Sequence, residues 1–151
     1  MWRKLCYYRT DEDVLYLEGS GNLTNDWDVC STNDVKEAMD DFYYLARSKR
    51  IVISDACTAI GDSVFDMDRN LHDFQSNLIH AEIPFEAISI RIPYGVTKIG
   101  MRAFAGCRQL VSLEIPETVT EIGTDTFLDV PRIIYNGPAR SDDNWGAKSR
   151  N

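Results

Sequence analysis

Between Ile92 and Ile133 the chain repeats itself every twenty-three residues, and no other feature limits its fold as strongly. Ile92-Pro93 recurs as Ile115-Pro116, Ile99-Gly100 as Ile122-Gly123, Phe104 as Phe127, and Leu110 as Ile133. A fixed period of this size marks a stacked repeat in which each unit buries its apolar face against the next. A weaker copy lies upstream, with Ile53, Ile60-Gly61, Phe65 and Leu71 each thirty-nine residues before their partners. The excess over the period is sixteen residues, which is one insertion, residues 72–87, between the first and second coils. Insertions of this kind often map to the binding face of a stack; a tolerated surface excursion accounts for this one equally well.

Within each unit the pattern divides into parts. Ser89-Ile90-Arg91-Ile92-Pro93 and Ser112-Leu113-Glu114-Ile115-Pro116 alternate polar and apolar residues, the period-2 pattern of a half-buried strand. Lys49-Arg50-Ile51-Val52-Ile53 holds the same register. The proline has no N–H to give to a ladder, so it ends the strand. Val96 and Ile99, matched by Val119 and Ile122 and by Cys57 and Ile60, are expected to point inward. Gly61, Gly100 and Gly123 then mark either a backbone with φ above zero or a close approach to the neighbouring coil. Phe65, Phe104 and Phe127 place one large aromatic per coil, and such rings bury on the order of 150–250 Å² each.

Residues 1–50 do not follow the period. Val14-Leu15-Tyr16-Leu17 running into Gly19-Ser20-Gly21 reads as a strand closed by a turn, with residues 2–8 as its hairpin partner. From Asp34 to Arg47, Val35, Met39 and Phe42 fall at helical spacing, with cations near the C-terminal end. The expected organisation is an α+β N-terminal cap over 1–50 and a β-rich solenoid over 51–148. That solenoid has about three coils with short helical turns, ending in an irregular closing unit at 134–148. Trp145 is expected to cover the apolar end of the last coil.

Composition excludes several functions. The 151 residues carry a net charge of −8, which repels a polyanion and speaks against nucleic acid. There is no run of eighteen apolar residues, so no membrane insertion is expected. The first nine residues have early positive charges without an apolar core, so a cytoplasmic location is compatible with the sequence. Cys6, Cys30, Cys57 and Cys107 are widely spaced and form no Cys-x-x-Cys pair, which favours reduced thiols over a disulfide framework.

With these residues in hand, a family resemblance can be stated. The segment Ile92-Pro-Tyr-Gly-Val-Thr-Lys-Ile-Gly-Met-Arg-Ala-Phe-Ala-Gly-Cys-Arg-Gln-Leu110 resembles the repeat of the BspA-like bacterial leucine-rich repeat proteins. The next unit keeps Ile115-Pro116, Val119-Thr120, Ile122-Gly123 and Phe127 but has Val130 at the family cysteine position. The first keeps Thr58, Ile60-Gly61 and Phe65 and has Asp68 there. Residues 16–23 and 134–147 are similar to opening and closing segments of such arrays. The resemblance implies a non-enzymatic binding solenoid of exported or surface proteins, with adhesion to host or matrix proteins as its role. It implies no catalytic residues and no cofactor.

Candidate sites follow from the stacking. Outward strand residues should form two ladders about 4.8 Å apart from coil to coil. One is Val52, Arg91 and Glu114, with Arg91 and Glu114 as an exposed ion pair; the other is Arg50, Ser89, Ser112 and Tyr135. This face is the expected binding surface for a protein partner. The alternative is a structural or self-associating repeat segment with no ligand of its own. Asp66-x-Asp68-x-Asn70 starts like a calcium loop, but Leu71 replaces the required glycine and Asn77 the bidentate glutamate, leaving a polar turn. His72, His80 and Glu82 match no closed zinc spacing. Cys107 reads as a small buried hydrophobe, because no histidine accompanies it.

Overall fold

The computed structural model describes residues 5–9, 13–23, 48–66 and 87–151, and the statements below concern those residues. The helix expected over 34–47 lies outside them, as do the insertion up to residue 86 and the residues Asp68, Asn70, His72, His80 and Glu82.

The described chain is a β-rich repeat fold of ten short strands. They are β1 (Leu5–Arg9), β2 (Val14–Glu18), β3 (Gly21–Leu23), β4 (Arg50–Ile53) and β5 (Cys57–Ile60), then β6 (Ser89–Arg91), β7 (Lys98–Ile99), β8 (Leu113–Ile115), β9 (Glu121–Ile122) and β10 (Ile133–Tyr135). One short 3-10 helix, Asn144–Gly146, follows. Successive coils contribute alternately to two parallel ladders. On one side β2, β4 and β6 pair in parallel, with β1 added antiparallel at the edge; on the other the order is β3-β5-β7-β9. A third side is made of turns joined from coil to coil by backbone hydrogen bonds. Phe65 N–H donates to Ala103 C=O at 2.6 Å, Phe104 N–H to Thr126 C=O at 2.8 Å and Phe127 N–H to Trp145 C=O at 2.9 Å.

The strand registers follow the repeat. Arg50 lies opposite Ser89, Ile51 opposite Ile90 and Val52 opposite Arg91, the thirty-nine-residue step. Ile99 lies opposite Ile122, the twenty-three-residue step. Both ladders extend further toward the N-terminus. Leu15 pairs with Ile51, Leu17 with Ile53 and Leu23 with Ile60, so residues 14–23 supply a strand to each sheet. The step is 36 residues, and 37 after the register shift between Gly21 and Asn22, which matches neither other spacing and hides this segment from a fixed-period reading.

The core is a column of stacked equivalents. Phe65 and Phe104 lie 5.2 Å apart between ring centroids and nearly parallel, and Phe104 and Phe127 lie 6.0 Å apart. All three are fully buried, with Ile51, Ile60, Val96, Ile99 and Val119 closing the column from the strand sides. Trp145 continues it, edge-on to Phe127 at 6.3 Å and to Tyr135 at 5.7 Å. The thiol of Cys107 donates to Phe65 C=O at 3.3 Å inside this core, the position of a small buried side chain.

The glycines at 100 and 123 are explained by proximity. A Cβ at Gly100 would sit 2.6 Å from Asp62 N, and one at Gly123 would sit 2.5 Å from Met101 N. Neither glycine has positive φ. Ser63, Arg102 and Asp125 take left-handed φ at one repeat position, and Gly106 and Asp129 do so at another.

One correspondence is corrected. Ile133 is not the partner of Leu110; β8 and β10 pair with Leu113 opposite Ile133 and Ile115 opposite Tyr135, a step of twenty residues. The connection is shorter here: Ile133 follows Phe127 by six positions, whereas Leu113 follows Phe104 by nine. Leu110 is itself buried, in the approach to β8.

Candidate functional site

The strands β4, β6 and β8 hold the outward residues of the candidate face. Arg50, Ser89, Arg91 and Glu114 are exposed, and Val52 and Ser112 are half-buried. Arg50 beside Ser89 and Val52 beside Arg91 form the two columns, held in register by the β4–β6 ladder.

Tyr135 does not belong to this face. Because it aligns with Ile115 and not with Ser112, its side chain enters the core and is 1% exposed. Its hydroxyl donates to Val119 C=O at 2.6 Å and accepts from Ala139 N–H at 3.0 Å. Ile134, opposite Glu114, takes the outward place.

The Arg91–Glu114 pair is also replaced. Arg91 reaches Asp55, just past β4, with 2.9 Å between its guanidinium and the carboxylate. Both side chains are more than half exposed, so the pair is worth under about 1 kcal/mol. The reason is the arrangement of strands. The sheet containing β4 ends at β6, and β8 with β10 forms a separate two-stranded sheet, so no ladder joins β6 to β8. Elsewhere the two coils remain tied. β7 pairs with β9, and Arg102, Phe104 and Gly106 N–H groups donate to Thr124, Thr126 and Leu128. Among the described residues, these two coils lack a strand ladder on the candidate face, where β6 and β8 remain neighbours without pairing.

Two crevices occupy this face and share Ile92 and Glu114. One, of about 380 Å³, runs past Ile88, Arg91, Val111 and Ser112. The other, of about 360 Å³, lies toward the C-terminal strand ends against Tyr94, Pro116, Glu117 and Asn136. Ile88, Val111 and Tyr94 are 50%, 76% and 73% exposed, large apolar groups left in water at the crevice mouths. The alternation argument misses them: Ile88 has the parity of Ile90, and Val111 that of Leu113, so both are expected inward. The strands begin only at Ser89 and Leu113, and before those points the parity rule does not apply. The signal was present in sequence, since Ile88 and Val111 are themselves one period apart.

The buried Cys57 thiol is a poor nucleophile here. Cys57 is fully buried, and desolvation pushes its pKa up to about 11, against the lowering effect of hydrogen bonds to the backbone at Ala59 and Leu23. Asp66 is fully buried and meets Arg102 at 2.9 Å, a pairing between coils. Among the described residues no group of three or more His, Cys, Asp or Glu side chains could hold a metal ion.

Stacked parallel strands, one aromatic per coil and an open strand face define a repeat protein of the leucine-rich class. A family model described as BspA type leucine rich repeat region (6 copies) matches residues 83–135, and this part of the chain is a BspA-type leucine-rich repeat. Among solved structures, the chain is similar to the crystal structure of the T. pallidum leucine rich repeat protein, at 18% identity. That alignment covers 89% of this chain and 67% of the other, with a TM-score of 0.39. Among curated proteins, none matches the chain.

Proposed function

We propose that this chain is a non-enzymatic protein-binding module whose contact surface is the strand face carrying Arg50, Val52, Ser89, Arg91, Ser112 and Glu114. The observation that carries this reading is the missing ladder between β6 and β8, where exposed apolar and charged groups line two connected crevices. Monomeric proteins rarely leave such apolar groups together in water unless they meet a partner. Rigid stacked strands suit the task, because side chains far apart in sequence are held at fixed spacing without an ordering cost on binding. Adhesion to a host or matrix protein is the finer form of this reading, supported by the BspA-type repeat.

The test is binding of purified chain to a panel of immobilised matrix and host glycoproteins, compared with the Arg91→Ala/Glu114→Ala double variant. A specific partner should lose about tenfold or more in affinity, the scale of central interface residues. Equal binding by the two proteins, with the fold intact by circular dichroism, would exclude this face.

A further inference from the structure

We infer that the partner segment bound by this face is extended and basic: a Lys or Arg side chain seated among Tyr94, Glu114 and Glu117, and an apolar side chain seated between Ile88 and Val111. This inference rests on the protein-binding reading and names the chemistry of the partner.

Charge is the first argument. Arg91 is already neutralised by Asp55, so the charge left on the crevice is that of Glu114 and Glu117. Both are exposed and have no ion-pair partner among the described residues. They face the same cavity as Tyr94, whose ring is 73% exposed and offers a face to a cation. Two carboxylates and an aromatic ring around one cavity of about 360 Å³ suit a Lys or Arg side chain with its alkyl stem on Ile92 and Pro116. The net charge of −8 adds a long-range attraction for a basic partner and repels an acidic one.

Geometry is the second argument. The apolar end of this face, at Ile88 and Val111, and the acidic end, at Tyr94 and Glu117, are joined through Glu114, which lines both crevices. Ile88 precedes β6 and Tyr94 lies in the turn after Pro93, so the two ends are at most roughly 20 Å apart at about 3.3 Å per residue. An extended segment of about six residues covers that distance. β6 and β8 share no ladder but remain neighbours, so the segment lies over the crevices and not between the strands. A helix would present its anchors at a shorter rise per residue.

The experiment is selection from a displayed library of random linear peptides against the full chain, followed by binding measurements on soluble peptides. The expected result is enrichment of peptides with a Lys or Arg about four to six positions from an aliphatic or aromatic residue. Those peptides should weaken about tenfold on Glu114→Gln/Glu117→Gln and several-fold on Tyr94→Ala, and weaken further as salt is raised. All three residues are exposed, so these variants keep the fold, which circular dichroism checks. Basic peptides that bind the glutamine variant equally well would overturn the inference. Enriched peptides without a basic residue, whose binding is still lost on Arg91→Ala/Val52→Arg, would overturn it while leaving the strand-face reading standing. Enrichment of nothing would remove both.

Discussion

The hydroxyl of Tyr135 donates to the carbonyl of Val119 at 2.6 Å, across sixteen residues and inside the core. It also accepts from Ala139 N–H, so one phenol satisfies a carbonyl and an amide where the last strand meets the closing segment. Tyr135→Phe keeps the ring and removes the hydroxyl. That leaves a buried carbonyl without its partner, which costs about 1–3 kcal/mol. Urea unfolding should show the loss as a lower midpoint with an unchanged slope. A variant as stable as the wild type would mean that the bond contributes nothing.

The aromatic column gives a larger effect. Phe104 stacks between Phe65 and Phe127, with no exposure, so truncation opens a cavity that both neighbours line. Phe104→Ala should cost about 3–5 kcal/mol. In a domain of marginal stability such a loss leaves the chain largely unfolded at 37 °C. A cooperative thermal transition near that of the wild type would refute the central place given to the ring.

Glycine 123 and aspartate 125 should respond in opposite directions. A methyl at Gly123 would lie 2.5 Å from Met101 N and 2.8 Å from Met101 Cα, backbone that cannot step aside, and Gly123→Ala should destabilise by about 1–3 kcal/mol. Asp125 sits at φ 51°, where a side chain is strained. Asp125→Gly should raise stability by roughly 0.5 kcal/mol, the strain relieved less the added chain entropy. The measurement is the same denaturation curve for both variants, and a reversal of sign at either position would contradict the assignment.

Cys57 carries a pH dependence of definite sign. Burial raises its pKa from 9.0 to about 11, so the folded state holds the proton more tightly than the unfolded state between those values. Its contribution to stability is complete below pH 9 and is lost as pH rises toward 11, on the order of 2–3 kcal/mol in all. Cys57→Ala should lack that part of the alkaline slope. In the native protein at pH 8 the thiol should also resist maleimide until the chain unfolds, which mass spectrometry of the tryptic peptide reports. Labelling of Cys57 within minutes under native conditions would contradict the burial.

Much of the fold was legible from local pattern. Alternation in Ser89-Ile90-Arg91 and the recurrence of Ile99, Phe104 and their partners identify strand, turn and core, because side-chain direction in a strand is set by backbone geometry within a few residues. Residues 14–23 escaped the period because their step to the next coil is 36 to 37 residues, although the strand itself was evident in Val14-Leu15-Tyr16-Leu17. The candidate face was legible for Arg50, Val52, Ser89, Arg91, Ser112 and Glu114. Alternation placed Ile88 and Val111 inward, although their one-period spacing marked them as equivalents, and it did not reach Tyr94 and Glu117 beyond the strand ends.

The sequence by itself determined the repeat, the registers of β4 on β6 and of β5, β7 and β9, and the identity of the stacked aromatics. Only the tertiary structure decided that the last step is twenty residues, that Tyr135 turns inward, and that Arg91 meets Asp55 and not Glu114. Those outcomes depend on how far two strands separated by a whole coil slide and part. That distance is set by packing among remote side chains, which a periodic pattern does not record.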